Sequence, residues 1–436
     1  MLNDREKDYI NSICYHVRCK QAHPCIRKEL GDHIEDQREA FIAEGMTPDA
    51  ASEAAVREMG EAELVGGRMD KVYRPRISVK LLAVFVAILT LGFVLRTISG
   101  VTDMKSILCF GFGAVMFFVI LRFWNIGWMF EKAWWFIGIY TAAMAAIPFV
   151  YTIDIGVTIL PVVNGVIGQL LYLQILQPLI FAMFVWKMKG KGIIGAGAML
   201  PFVIISLFTS IAEPQLFVAG AMGLIDLAIL LYAIAKGWLT ENRRMMALIV
   251  AAIAVVMIAL VVFVLHDGYY FGRMAGMFSD EGWHGMVTKE ILANCRFFGE
   301  ADFSAMRPGA AEYLSYRIYL LALAAEFGLW VLPASALLMG GLIFGLVKLC
   351  LREKAMLCRI MSLSIVGAFF MQSVGCFAEN LGMSVAALPM PFISYGNTSL
   401  IFNMVLMGML FCILGKGWMY SDESTVSKEK GRLKIS

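Results

Sequence analysis

The stretch LPMPFISYGNTSL, residues 388–400, decides the fold class, because it joins a polar loop to an apolar run that continues to residue 416. Residues 394–399 read SYGNTS, a polar and small-residue series at the start of a predicted membrane span. In a bilayer, irregular backbone and clustered polar groups persist only where protein or water satisfies them. We therefore expect these side chains either to line a polar cavity or to hydrogen-bond between closely packed helices.

The composition of the whole chain agrees with a membrane protein. Of the 436 residues, 59% are hydrophobic and 16% are charged, and the mean hydropathy is +0.72. Soluble domains average about 25% charged residues. The apolar runs are continuous rather than alternating, which favours helices over a β-barrel. The sequence therefore predicts an all-α polytopic membrane protein, and we expect no nucleic-acid partner.

Ten apolar stretches follow residue 80, and each is near the length that crosses a bilayer. The eighth is long, so part of it is expected to lie above the bilayer or to tilt strongly. The predicted spans are residues 81–98, 106–123, 133–152, 168–187, 192–210, 215–235, 244–265, 314–348, 357–378 and 395–416.

The Lys and Arg residues of the loops predict the orientation of these spans. The basic loops are residues 187–192, 236–244 and 348–359, and the loops without Lys or Arg are residues 153–167, 211–214 and 379–394. Because basic loops stay on the cytoplasmic side, both chain termini are predicted to be cytoplasmic. The one large loop, residues 266–313, is then extracytoplasmic.

Residues 1–79 predict a small cytoplasmic helical domain ahead of the spans, and residues 421–436 a basic cytoplasmic tail. Pro24 suits the first position of one helix, and Thr47 with Pro48 suits the start of another that ends at Gly60. The segment CYHVRCKQAHPC, residues 14–25, holds three Cys and two His. Their spacing fits no common zinc finger, so we expect reduced packing cysteines and no metal.

Several motifs resemble those of the FtsW/RodA/SpoVE family of shape, elongation, division and sporulation proteins. PFISYGNTSL resembles the family signature P-[LF]-I-S-Y-G-G-S-S-L, and the ten-span layout with its large outer loop is similar. The resemblance covers residues 80–420, whereas residues 1–79 resemble a permease-prefix domain through ELGDHIEDQ (29–37) and AVREMG (55–60). Further motifs that match in order are Asn164-Gly165 followed by Gln177-Pro178, Glu213-Pro214, and AAEFG at 324–328.

The resemblance implies a function in cell-wall synthesis at the bacterial plasma membrane. The family polymerises lipid-linked peptidoglycan precursor and works with a membrane transpeptidase, a penicillin-binding protein. Such a glycosyltransferase needs a carboxylate base, which typically contributes about 10²–10⁴-fold. It also needs a cation to stabilise the leaving pyrophosphate. A divalent cation would be the only cofactor expected of an active enzyme.

The sequence departs from the family where catalysis is expected. The position of the family's Asp falls on Arg317, and arginine cannot act as a base. Carboxylates that could replace it are Glu312, which is nearest, Glu300 and Asp302. The resemblance assigns substrate binding to Asn164, Gly165, Gln177, Pro178, Arg273, Ser394, Tyr395, Gly396 and Asn397.

Three functions follow as alternatives. The chain is an active peptidoglycan glycosyltransferase, or a non-catalytic scaffold or regulator of a transpeptidase partner, or a transporter of lipid-linked precursor. Transport usually requires ionisable groups along a path through the membrane. The charged residues that we count in the spans are few, which weakens the third alternative: Arg96, Arg122, Glu326 and Glu379.

Overall fold

In the computed structural model, every regular element of the described part of the chain is a helix. The structure describes residues 3–74, 78–99, 103–124, 126–156, 171–212, 216–240, 242–265, 283–302, 304, 318–383, 389–394 and 396–416. The chain divides into two compact units, one made of Met1–Ile77 with Gly415–Ser436 and the other of Ser78–Leu414. The predicted all-α class is confirmed for the described residues.

The N-terminal unit is a small bundle with its own apolar core. Its helices are α1 (Asp4–Tyr15), α2 (His23–Ala43), α3 (Pro48–Met59) and α4 (Ala62–Val72). The predicted starts at Pro24 and Pro48 and the end at Gly60, where φ is +90°, are all observed. The core is formed mainly by Ile10, Ile13, Cys14, Val17, Ile26, Leu30 and Ile34.

Two residues of the segment 14–25, Cys14 and His23, make contacts within the N-terminal unit. The Cys14 side chain lies in the apolar core, and burial raises the pKa of its thiol. The His23 ring nitrogen Nε2 lies 2.9 Å from the carbonyl oxygen of Val17. Within the described ranges, no group of three or more His, Cys, Asp or Glu residues is arranged to hold a metal ion.

One carboxylate is fully buried in this unit. Glu6 forms a salt bridge with Arg38 at 3.1 Å and accepts a hydrogen bond from the Ser52 hydroxyl at 2.9 Å. The backbone N–H of Asn3 also donates to Glu6, while the Asn3 side chain accepts from the Glu6 N–H, which together form a capping box. These contacts tie the start of α1 to α2 and α3.

The second unit consists of apolar helices, and a helix lies in each of the ten predicted spans. They are α5 (Val79–Ile98), α6 (Met104–Phe123), α7 (Ile126–Glu131), α8 (Ala133–Gly156), a 3-10 turn (Leu171–Leu176), α9 (Gln177–Lys187), α10 (Gly192–Ala212), α11 (Leu216–Ala235), α12 (Arg243–Leu265), α13 (Trp283–Asn294), α14 (Tyr319–Phe327), α15 (Val331–Cys350), α16 (Met356–Asn380) and α17 (Asn397–Lys416).

Six helices of the described part are long and apolar enough to cross a membrane. They are α5, α6, α10, α15, α16 and α17, and shorter apolar helices accompany them. In the apolar stretches of α16 and α17, 67% of the residues are buried, compared with 28% in α5 and 22% in α6. The chain is therefore an integral membrane protein in which α16 and α17 form the centre of this unit.

The predicted eighth span is two helices rather than one. The chain breaks at Gly328, where φ is +110° and an added Cβ would lie 2.4 Å from the Phe297 carbonyl oxygen. Only glycine combines that backbone with so close a neighbour. The break places Glu326, which we expected inside one long span, near the end of a short helix. Its side chain is exposed in the last turn of α14, one residue before Phe327 ends that helix.

A carboxyl group in the loop between α15 and α16 is expected to make the stability of this unit depend on pH. Burial raises the pKa of Glu353 to about 7, although the nearby Arg359 guanidinium partly opposes this. A raised carboxyl pKa contributes stability that is present below its unfolded value of about 4.3 and is lost as pH passes about 7. We expect the melting temperature of the native protein to fall between about pH 5 and pH 8 relative to Glu353→Gln. A difference in melting temperature between the two proteins that stays constant across this pH range would refute the prediction.

Candidate functional site

The loop between α16 and α17, residues 389–394, packs tightly against α5. An added Cβ on Gly92 would lie 2.3 Å from the Phe392 carbonyl oxygen and 3.0 Å from the Ile393 Cα. Phe392 has φ of +68°, which is uncommon for a bulky residue. Its ring is buried between Phe85 and Phe369, at centroid distances of 5.0 and 5.4 Å. The buried Phe392 ring anchors the loop, and the small size of Gly92 leaves room for the loop backbone to approach α5.

Arg96 fixes the end of the same loop. It lies in the last turn of α5, is 2% exposed, and donates from Nε to the Ile393 carbonyl oxygen at 3.3 Å. Its guanidinium also donates to the carbonyl oxygen of Ser394. A buried guanidinium is costly unless hydrogen bonds satisfy it, and here it satisfies two backbone carbonyls of the loop.

Polar side chains from neighbouring helices continue this cluster. The Ser394 hydroxyl lies 3.7 Å from the Cys376 Sγ. Asn380 accepts a hydrogen bond from the Leu321 N–H at 2.8 Å and donates to the Cys376 carbonyl oxygen at 2.7 Å. These contacts join α14, α16 and the loop. We call the cluster formed by Arg96, Cys376, Asn380 and the loop 389–394 the loop cluster.

The predicted polar residues of the signature lie in or beside the loop cluster. Ser394 is buried, and an added Cβ on Gly396 would lie 2.6 Å from the Ser399 Oγ. The Ser399 hydroxyl is buried and donates to the Gly396 carbonyl oxygen at 3.0 Å. The contact between Ser399 and Gly396 lies within a single turn of one segment, so the choice between a polar cavity and hydrogen bonds between helices stays a prediction. Asn397 differs, because it is half-buried at the start of α17 and its Oδ1 has no hydrogen-bond partner among the described residues.

Two of the candidate bases lie in an exposed segment after α13. Backbone hydrogen bonds hold this segment beside α14, with the Ala301 N–H donating to the Ala325 carbonyl oxygen at 2.7 Å. Glu300 and Asp302 are exposed there. Hydrogen bonds from the Ser304 side chain and backbone lower the pKa of Asp302, which makes it a weaker base.

Several other residues that the sequence assigned to the site lie outside the described residues. The assignments made for them stay predictions. They are Asn164, Gly165, Arg273, Glu312, Arg317 and Tyr395.

Gln177 and Pro178 lie elsewhere, at the start of α9. Both are buried. The Gln177 side chain donates to the Asp226 Oδ2 at 2.7 Å. Asp226 was missing from our count of charged residues in the spans, although it is the one acidic residue of the apolar helix α11 and is visible as such in the sequence. The structure thus pairs a residue that the motif assigned to substrate binding with an acid that we had overlooked.

The close approach of α5 to the loop predicts the effect of a small substitution. Gly92→Ala is expected to destabilise the membrane unit by about 1–3 kcal/mol, because the added methyl group meets backbone atoms that must shift. Gly111→Ala is the matched control, since a Cβ there meets nothing within 4 Å. Melting of the detergent-solubilised variants measures both. Equal stability of the two variants would contradict the packing described here.

Comparison with known proteins places this fold. No protein-family model matches the sequence, and no curated protein matches it either. Among solved structures, a chain from a peptidoglycan synthase complex that coordinates polymerization and crosslinking aligns with a TM-score of 0.59 and 19% identity, over 79% of this chain and 99% of that chain. The chain shares the fold of that synthase subunit.

A second solved structure also aligns with this chain. It is the rod shape determining protein RodA of Thermus thermophilus, which aligns at 17% identity and a TM-score of 0.49 over 79% of this chain and 98% of that chain. At such identities the likeness concerns the fold alone, so the function is argued below from the residues as well.

Proposed function

We propose that this chain is a peptidoglycan-synthesis protein of the FtsW/RodA/SpoVE type that binds lipid-linked precursor at the outer face of the bacterial plasma membrane. The observation that carries the proposal is the fold shared with the synthase subunit over 99% of that subunit's length. The order of the motifs along the sequence supports it independently. In this proposal ten spans cross the bilayer, and both termini are cytoplasmic.

The precursor is proposed to bind beside the loop cluster. Arg96 and Gly92 hold the loop backbone rigidly, and a rigid support is what a binding site requires. The Asn397 amide oxygen is buried beside the loop without a partner among the described residues, and we propose that it accepts a hydrogen bond from a sugar hydroxyl when the precursor enters there. Tyr395, Asn164 and Arg273 are proposed to complete the site, with Arg273 on the pyrophosphate.

For an active enzyme, Glu312 is proposed as the base. Asp302 is less suitable, because its hydrogen bonds from Ser304 favour the ionised form and lower its pKa. Glu312 is nearest in sequence to Arg317, where the family has its Asp. The acceptor hydroxyl would lose its proton to the Glu312 carboxylate as its oxygen attacks the anomeric carbon and the pyrophosphate leaves.

The experiment is polymerisation of lipid II by the purified protein, alone and together with a membrane transpeptidase. Glu312→Gln is compared with Glu281→Gln as a matched control in the same predicted loop. We expect the native protein and the control to form glycan strands. In Glu312→Gln the polymerisation rate should fall about 100-fold or more, as for loss of a general base. Equal rates in both variants would exclude Glu312 as the base.

The first alternative is a non-catalytic scaffold or regulator of a transpeptidase. The replacement of the family's Asp by Arg317 favours it, and the partner is suggested by the solved synthase complex. Absence of strands under both conditions, with lipid II still bound, would support this alternative over the enzyme.

Transport of lipid-linked precursor is a second alternative, and one observation favours it. Asp226 is 2% exposed within an apolar helix, and ionisable groups inside membrane helices often mark transport pathways. Translocation of labelled precursor across proteoliposomes by the native protein, and not by Asp226→Asn, would establish it. No difference from empty liposomes would exclude it.

A further inference from the structure

The exposed side of α4 in the N-terminal unit combines basic and apolar side chains. Leu64, Arg68 and Val72 follow one another at four-residue spacing, so they lie along one side of the helix, and Lys71 lies beside them. All four residues are exposed, Leu64 at 62% and Val72 at 51%. The opposite side of α4 packs on the core of the N-terminal unit. We call the exposed side, with these four residues, the α4 face.

Charge is unevenly distributed along this part of the chain. Residues 29–63 contain eleven acidic residues and two arginines, whereas residues 64–80 contain five basic residues and one acid, Asp70. Asp70 accepts a hydrogen bond from the Arg18 backbone N–H at 2.8 Å, and the Arg18 guanidinium lies 3.7 Å from the same carboxylate. A further cation thus offsets the one acid of the basic stretch.

The basic and acidic residues belong to different helix pairs of the bundle. α4 packs mainly against α1, whereas α3 packs mainly against α2. α3 carries the exposed acids Asp49, Glu53 and Glu58. The α4 face therefore offers positive charge and apolar surface together, although the N-terminal unit as a whole is slightly acidic.

The covalent chain limits where the α4 face can act. α4 ends at Val72, and the apolar helix α5, which is long enough to cross a membrane, begins at Val79. Seven residues of fully extended chain reach about 25 Å at most. The end of α4 is therefore tethered to the bilayer surface at which α5 begins. In the topology proposed above, this surface is the cytoplasmic one.

We propose that the α4 face binds anionic phospholipid headgroups of the cytoplasmic leaflet. Clusters of basic residues directly before a membrane span attract anionic lipids, and Arg68 and Lys71 would contact their phosphates. Leu64 and Val72 would enter the boundary between headgroups and acyl chains, as the apolar side of an interfacial helix does. The tether favours a lipid surface over a soluble acidic partner, because the bilayer is always within reach. This inference rests on the cytoplasmic N-terminus of the proposed function.

The test is hydrogen exchange of the full-length protein in phosphatidylcholine nanodiscs with and without phosphatidylglycerol. We expect amide exchange within residues 62–74 to slow about tenfold in the anionic discs, because a ligand that binds the folded helix opposes its local opening. Arg68→Gln with Lys71→Gln should lose most of this protection. Leu64→Ser should also lower it, with an unchanged melting temperature in detergent, since Leu64 is exposed.

The matched control is Arg5→Gln with Arg57→Gln, which removes the same charge from exposed residues of α1 and α3. Arg5 lies 3.8 Å from Glu53 of α3, away from the α4 face, so this variant should keep the full protection. Equal exchange of the native protein in the two kinds of disc would overturn the proposal, and so would an equal loss of protection in both double variants. Lipid II takes no part in this measurement, so its result is independent of precursor binding.

Discussion

Arg96→Met is expected to destabilise the membrane unit by about 3–6 kcal/mol, because each hydrogen bond to a charged group contributes about 1.5–3 kcal/mol and two are lost. The substitution keeps the apolar stem, so the loss reports the guanidinium contacts with Ile393 and Ser394. The two buried carbonyl oxygens lose their donor in the same step. Chemical unfolding in detergent, compared with the native protein, measures the effect.

The matched control for this prediction is Arg122→Met. Arg122 also lies in the last turn of its helix, α6, but its side chain is exposed and stacks over Phe123 at 5.5 Å. Exposed substitutions of this kind usually change stability by about 0.5 kcal/mol or less. If Arg96→Met cost no more than Arg122→Met, Arg96 would not be holding the loop in place.

The second large effect is expected in the N-terminal unit. Arg38→Met should destabilise this unit by about 3–5 kcal/mol, because it leaves the fully buried Glu6 carboxylate without its ion-pair partner. Hydrogen exchange of residues 3–74 within the full chain measures the loss locally. Lys7→Met is the control, since its pair with Asp4 is exposed and surface pairs contribute about 0–1 kcal/mol.

A double variant separates the charge from the packing. In Glu6→Gln with Arg38→Met, no uncompensated charge remains, so part of the lost stability should return. Exchange in the double variant that is as fast as in Arg38→Met alone would mean that lost packing, rather than the unpaired carboxylate, explains the effect.

Much of the fold was predictable because apolar runs and helix-end residues are local signals. Helices lie in all the predicted spans, and Pro48 and Gly60 bound a helix as expected. The break at Gly328 was not predictable from the same signals. A glycine in an apolar run is compatible with an unbroken helix, and the carbonyl of Phe297 that requires the break comes from a different segment.

The candidate site was predictable only in part, because its contacts join residues far apart in sequence. Arg96 was recognised as a charge within a span, but its partners lie almost 300 residues further along, at Ile393 and Ser394. The backbone of Phe392 could not be inferred, since bulky residues rarely adopt positive φ. Asp226 is visible in the sequence as a lone acid in an apolar helix, but no motif marks it.

The most direct test of the central claim is binding of lipid II to the full-length protein in nanodiscs. We expect saturable binding that Asn397→Leu weakens about tenfold, because the unpaired amide oxygen beside the loop cluster is lost. Asn242→Leu, at the start of α12 and on the predicted cytoplasmic side, should bind like the native protein. Absence of saturable binding, or equal affinity in all three proteins, would contradict the proposed precursor site.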